Sequence, residues 1–142
     1  MPILMCTQHI SQRVYHMLPQ QNRLKKTRDI EIVMENGRFF SGHAINLKVW
    51  YINPDQFPKR GYTKQDLKFA FVVGKKVHKS AVKRNRLKRQ MREVVRLLLK
   101  GDKLRPGSMV VVMAKKEMME STHKDIEKDI IFLLSKAKIT AV

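Results

Sequence analysis

Lys75-Lys76-Val77-His78-Lys79-Ser80-Ala81-Val82-Lys83-Arg84-Asn85-Arg86-Leu87-Lys88-Arg89-Gln90-Met91-Arg92-Glu93-Val94-Val95-Arg96 carries ten Lys or Arg and one acid in 22 residues. It also keeps a hydrophobic stripe. Leu87, Met91, Val94, Val95 and Leu98 fall at i, i+4, i+7, i+8 and i+11, one face of an α-helix. Arg84, Lys88, Arg92 and Arg96 form an i, i+4 row beside the stripe, and Arg86 and Arg89 widen the charged face. Like charges four apart destabilise an isolated helix. A helix that keeps such a row uses it to meet an outside polyanion. The helix is expected from about Ser80, a residue suited to the N-cap, to Lys100.

Working outward, Lys68 to Gly74 is a near-continuous apolar run that reads as a buried central strand. On the other side Gly101, Pro106 and Gly107 break the chain, and Met109 to Ala114 reads as a second buried strand. A last helix spans about 122 to 137, capped by Ser121 or Thr122, with Ile126, Ile130, Leu133 and Leu134 on one face and Asp125 and Asp129 serving its start. Upstream, Asn53 to Asp66 is a polar loop with Pro54, Pro58 and Gly61. Arg38 to Ile52 reads as extended, with Ile45, Leu47, Val49 and Tyr51 on one face and Ala44, Asn46, Lys48 and Trp50 on the other. Thr27 precedes a short helix, Arg28 to Asn36, stopped by Gly37. The order implies one α+β sandwich with a mixed sheet. Residues 1–20 read as an N-terminal extension open to disorder, with Met17 an alternative start. Residues 21–138 read as a single domain, and 139–142 as a tail.

Thirty Lys plus Arg against twelve Asp plus Glu give a net charge of +18 over 142 residues. That imbalance speaks of partners and not of fold. The 43% hydrophobic content excludes a disordered basic tail. A charge run can be a merely solvated face, but at +18 nucleic acid is the leading partner, ahead of an anionic membrane surface. Cys6 is alone, so no disulfide framework and no CxxC pair exists. His9, His16, His43, His78 and His123 lack the spacing of a zinc site, and no metal site is expected. No carboxylate cluster suggests two-metal hydrolysis, and neither a Ser-His-Asp arrangement nor a phosphate loop is evident. No run approaches a membrane span. The expectation is a cytoplasmic chain with no membrane or protein partner.

Val73-Gly74-Lys75-Lys76, then Ala81-Val82-Lys83-Arg84-Asn85-Arg86-Leu87-Lys88-Arg89, then Arg92-Glu93 resembles the bacterial ribonuclease P protein subunit. In that family an Arg-Asn-Arg motif opens a basic helix after a strand ending in Lys-Lys. Asn22-Arg23-Leu24-Lys25-Lys26, Gly37, and Met109 to Lys116 are also similar to it, so the resemblance covers about residues 20 to 137. It implies an α-β-β-β-α-β-α fold with a four-stranded mixed sheet and a left-handed β-α-β crossover, the fold of the second domain of ribosomal protein S5. General topology rules favour the opposite hand. It implies an accessory subunit of an endoribonuclease whose catalysis is carried by RNA with bound Mg²⁺, and no cofactor of the protein itself. Its partners are then the ribonuclease P RNA and the 5′ leader of precursor tRNA. The alternative is a ribosomal or general RNA-binding protein with no catalytic association.

Carried onto this chain, the resemblance places RNA binding on Lys75, Lys76, Lys83, Arg84, Asn85, Arg86, Lys88, Arg89 and Arg92. Guanidinium groups stay charged and fork onto phosphates. Asn85 offers both a donor and an acceptor to a sugar or base edge, or else serves as a helix-start cap. The family's leader cleft lies between the first helix and the sheet, and often has Phe at two helix positions four apart. Here those positions are Ile30 and Met34, which cannot stack as arenes do and can equally be core. Trp50, with Asn46 and Lys48 on the same strand face, is the expected replacement platform. Phe39, Phe40, Phe69 and Phe71 are expected in the core.

Overall fold

The computed structural model describes residues 18–140. Expectations about residues 1–17, including Met17 as a start and any role for Cys6, His9 and His16, lie outside the described residues. The elements run α1 (Thr27–Asn36), β1 (Arg38–Ser41), β2 (Ile45–Tyr51), β3 (Leu67–Val72), α2 (Ala81–Lys100), β4 (Ser108–Ala114) and α3 (His123–Lys136). The sheet order is β1-β2-β4-β3. β1 and β2 pair antiparallel, as do β2 and β4, whereas β3 and β4 are parallel and joined through α2. The α+β class and the mixed four-stranded sheet are therefore as the sequence implies.

The segment expected as one extended run, Arg38 to Ile52, is a hairpin. Gly42 donates to the Ile45 carbonyl at 2.8 Å, and Phe40 pairs with Leu47. Asp129 of α3 accepts from the amides of His43 (3.2 Å) and Ala44 (2.9 Å). A Cβ on Gly42 would strike that carboxylate. Asp129 thus ties the hairpin turn and does not serve the start of α3. Asp125 does, in a reciprocal capping box with Thr122. Gly37 stops α1 through close approach: a Cβ there would collide with the Val33 carbonyl oxygen and lie 3.1 Å from the carbonyl carbon of Val49.

Strand alternation gives the sheet two faces. Ile45, Leu47, Val49, Phe69, Val110 and Val112 face α2 and α3 and form the larger core with Leu87, Met91, Val94, Val95, Ile126, Ile130 and Leu134. The opposite face carries Trp50, Ala70, Met109 and Val111, packed with Ile32 and Val33 of α1. The stripe read from the sequence is buried throughout, and each full burial of such a side chain stabilises by about 1.5–3 kcal/mol. Ser80 caps α2 by accepting from the Lys83 amide. Arg96 departs from the expected basic row. It is buried and grips Glu93 with two hydrogen bonds, at 2.5 and 3.0 Å. At the far end Ile139 is packed into the larger core, and its carbonyl accepts from the Arg105 amide at 2.6 Å.

Candidate nucleic-acid interface

α2 sets its charges in two tiers because the apolar stripe fixes its rotation. Lys83, Asn85, Arg86 and Arg89 are exposed, whereas Arg84, Lys88 and Arg92 are half-buried along the flank. Arg84 donates to the His78 carbonyl at 3.4 Å, and the Ser80 amide donates to His78 Nδ1 at 2.9 Å, which shapes the entry to the helix. Lys75 and Lys76 stand exposed in the turn between β3 and α2, closed by a hydrogen bond from Val77 to Gly74. Glu93 is the one acid on α2, and Arg96 engages it. Burial, and then the charges of Arg89 and Arg23, push the Arg92 guanidinium below its ordinary pKa. Crowded cations without counter-charges are the electrostatic condition for binding a polyanion. The expected RNA-binding residues on α2 and in the turn before it are exposed or half-buried, whereas Arg96, the last member of the i, i+4 row, is buried.

The other sheet face is only partly covered by α1. Register puts Phe39, Lys48, Val111 and Ala70 in one cross-strand row, and Ser41, Asn46, Met113 and Val72 in the next. Phe39 is 56% exposed and Val72 42%. The Lys48 ammonium lies 5.9 Å from the Phe39 ring centroid. Asn46 Oδ1 is buried yet finds no hydrogen-bond partner among the described residues. Met34 of α1 is 41% exposed, and Ile30 is half-buried against the smaller core.

Trp50 corrects the expectation of an aromatic platform. It is 4% exposed, with Phe57 and Tyr62 edge-on at 5.7 and 5.3 Å. Its strand face was read correctly, but the loop between β2 and β3 folds over it. An ionic cluster pins that loop, with Asp29 and Tyr62 buried and Arg60 at the surface: Asp29 Oδ1 accepts from Arg60 at 2.7 Å and from Tyr62 at 2.5 Å. The aromatic that sequence reasoning missed is Phe39, assigned to the core and found on the surface. The signal available was position: it neighbours Phe40, so strand alternation puts one of the two outside. Phe40, Phe69 and Phe71 do pack against the larger core.

No group of three or more His, Cys, Asp or Glu side chains among the described residues is placed to hold a metal. Among those residues no helix is long and apolar enough to cross a membrane.

Residues 18–138 match the family model described as Ribonuclease P. The "Ribonuclease P protein component" of Pseudanabaena sp. (strain PCC 6903) is 33% identical over 123 residues, 87% of this chain and 97% of that protein. The component of Alkaliphilus metalliredigens (strain QYMF) is 33% identical over 124 residues, 86% of this chain and 98% of that protein. Among solved structures, a Staphylococcus aureus RNase P protein superposes with TM-score 0.65 at 20% identity, covering 82% of this chain and 95% of that one. The RNase P protein from Thermotoga maritima gives 0.62 at 23%, covering 81% and 96%. These two likenesses speak for the fold.

Proposed function

The chain belongs to the ribonuclease P protein family, and on that premise we propose that it is an accessory subunit that binds a catalytic RNA through α2 and the 5′ leader of precursor tRNA on the α1 side of the sheet. The observation that carries the reading is the α2 surface, where Arg84, Arg86, Lys88, Arg89 and Arg92 stand with no acid among them. Lys75, Lys76 and Lys83 extend it as point charges, and Asn85 adds a donor and an acceptor for a 2′-OH or base edge. Such a surface contacts phosphates and reads shape more than sequence.

The leader reading rests on the half-open strip beside α1. Phe39 supplies an aromatic face, Lys48 a cation beside it, and Asn46 an acceptor with no partner among the described residues. Met34 offers a soft, polarisable wall. Ile30 closes the strip towards the β3 edge, and Trp50 lies outside it, covered by Phe57 and Tyr62. Single strands bind where stacking surfaces and positive charge coincide. The Mg²⁺ of the reaction is assigned to the RNA, as the family resemblance implies, and no chemical step is assigned to a protein side chain. The protein's work is to hold two RNAs in register and to screen their repulsion. The place of action is the cytoplasm, where precursor tRNA is found. Precursor-tRNA cleavage by the partner RNA at limiting Mg²⁺, with and without the chain, tests the proposal. A general RNA-binding protein would bind both RNAs without stimulating cleavage.

A further inference from the structure

The turn that delivers the chain from β3 to α2 is closed by a histidine acting as a hydrogen-bond acceptor. The Ser80 amide donates to His78 Nδ1 at 2.9 Å, two residues back along the chain, and Ser80 Oγ in turn accepts from the Lys83 amide at 3.4 Å. The pattern is that of an Asx turn, with a ring nitrogen where Asn or Asp would place its side-chain oxygen. On the near side the Val77 amide donates to the Gly74 carbonyl at 3.0 Å. On the far side Arg84 Nη1 reaches back to the His78 carbonyl at 3.4 Å.

The acceptor role fixes the tautomer. A nitrogen that accepts from an amide carries a lone pair and no proton, so the neutral ring bears its proton on Nε2. Turning the ring over would set Cδ2–H against the Ser80 amide, which has no other hydrogen-bond partner among the described residues. A second proton on Nδ1 would likewise cost Ser80 its acceptor. His78 is half-buried, and its Nε2 makes no hydrogen bond among the described residues. The buried side-chain atom left without a partner among those residues is Asn46 Oδ1, so Nε2–H is open to solvent.

The neighbours of this donor are cations. Lys75, Lys76 and Lys79 stand in the turn, Lys83 and Arg84 on the first turn of α2, and no Asp or Glu lies between Asp66 and Glu93. Lysines attract phosphates but hold them on long flexible stems. A ring tied down at Nδ1 offers one donor in a fixed place.

We propose that His78 is a further RNA-contacting residue, a neutral donor whose Nε2–H meets a phosphate oxygen of the bound RNA while Nδ1 holds the entry of α2. The proposal rests on the RNA-binding reading above and adds to it a contact made without charge. That difference is measurable. Contacts from Lys and Arg release counterions and set the salt dependence of binding, whereas a neutral N–H leaves it unchanged.

The first arm records long-range nitrogen–proton correlations of the His78 ring in the full chain, free and bound to the partner RNA, above the ordinary imidazole range. Both states should show the Nε2–H tautomer with a bare Nδ1. A proton on Nδ1 in either state would overturn the proposal. The second arm compares two variants by melting, binding of the partner RNA and exchange of the Ser80 amide. His78→Asn puts an amide oxygen close to the place of Nδ1, so the turn stays tied, but its amide nitrogen stops one bond short of Nε2. It should melt as the wild type does, keep Ser80 protected, and bind the RNA about tenfold more weakly, the scale of one hydrogen bond to a charged acceptor, with the salt slope unchanged. His78→Ala removes the acceptor as well, so Ser80 should exchange faster and binding should fall further. Undiminished binding by His78→Asn removes the contact, and a shallower salt slope shows a ring that binds as a cation; either result overturns the proposal. So does an Ala variant with Ser80 exchange unmoved. A wild-type chain that shows these signatures but fails to stimulate precursor cleavage sinks the subunit reading and leaves the His78 contact standing. A chain that stimulates cleavage while His78→Asn binds undiminished does the reverse.

Discussion

Replacing Tyr62 with Phe removes one buried hydroxyl from the Asp29–Arg60–Tyr62 cluster and changes little else. The hydroxyl donates to Asp29 at 2.5 Å and accepts from Arg60 Nε at 2.5 Å, and Asp29 and Tyr62 are 4% and 8% exposed. A hydrogen bond to a charged acceptor contributes about 1.5–3 kcal/mol, and water cannot readily replace this one. For a domain of this size the loss should lower the melting temperature by about 5–15 °C at neutral pH. The pH dependence has a definite sign. Burial pushes the Asp29 carboxyl up, but the hydrogen bonds from Tyr62 and Arg60, with the Arg60 charge, outweigh it and hold the group below 3.8. A depressed carboxyl contributes stability that is fully present above its unfolded value and lost as pH falls through the folded value. The gap between wild type and Tyr62→Phe should therefore be full at pH 7 and shrink in acid below 3.8. Trp50, the sole tryptophan, lies 5.3 Å from the Tyr62 ring and reports the transition by fluorescence. Equal melting at pH 7, or a gap that widens in acid, would refute the role of the cluster.

Three further outcomes are expected. Arg86→Gln with Arg89→Gln should leave the melting curve in place and lower the salt slope of RNA binding by about one unit per lost phosphate contact; an unchanged slope removes both from the interface. Leu87→Ala, at a side chain 7% exposed, should destabilise by about 2–4 kcal/mol and cost RNA binding only through unfolding, which binding measured well below the melting point separates. Phe39→Ala should weaken binding of leader-bearing tRNA by about 1–3 kcal/mol while leaderless tRNA and thermal stability stay as in the wild type. An equal loss for both tRNAs takes Phe39 out of the leader strip.

What the sequence made legible was what depends on short-range period. The stripe from Leu87 to Leu98 fixed the rotation of α2 and thus which cations face outward, and all five of its members are buried. Arg96 escaped that logic because a charge three residues after an acid can fold back on its own helix, and Glu93 was there to be noticed. The faces of β2 were read correctly from alternation, yet the fate of Trp50 was not, since its cover is Phe57 and Tyr62 on a loop and Asp29 on α1. Asp29 and Tyr62 are 33 residues apart, and no local pattern links them. The same holds for Asp129, whose partners His43 and Ala44 lie more than eighty positions away.

The subunit reading stands or falls on cleavage of a leader-bearing precursor tRNA by the partner RNA at limiting Mg²⁺, measured with and without this chain. The chain should raise the cleavage rate and tighten precursor binding relative to leaderless tRNA. Tight binding of both RNAs with no rise in cleavage and no preference for the leader would contradict it.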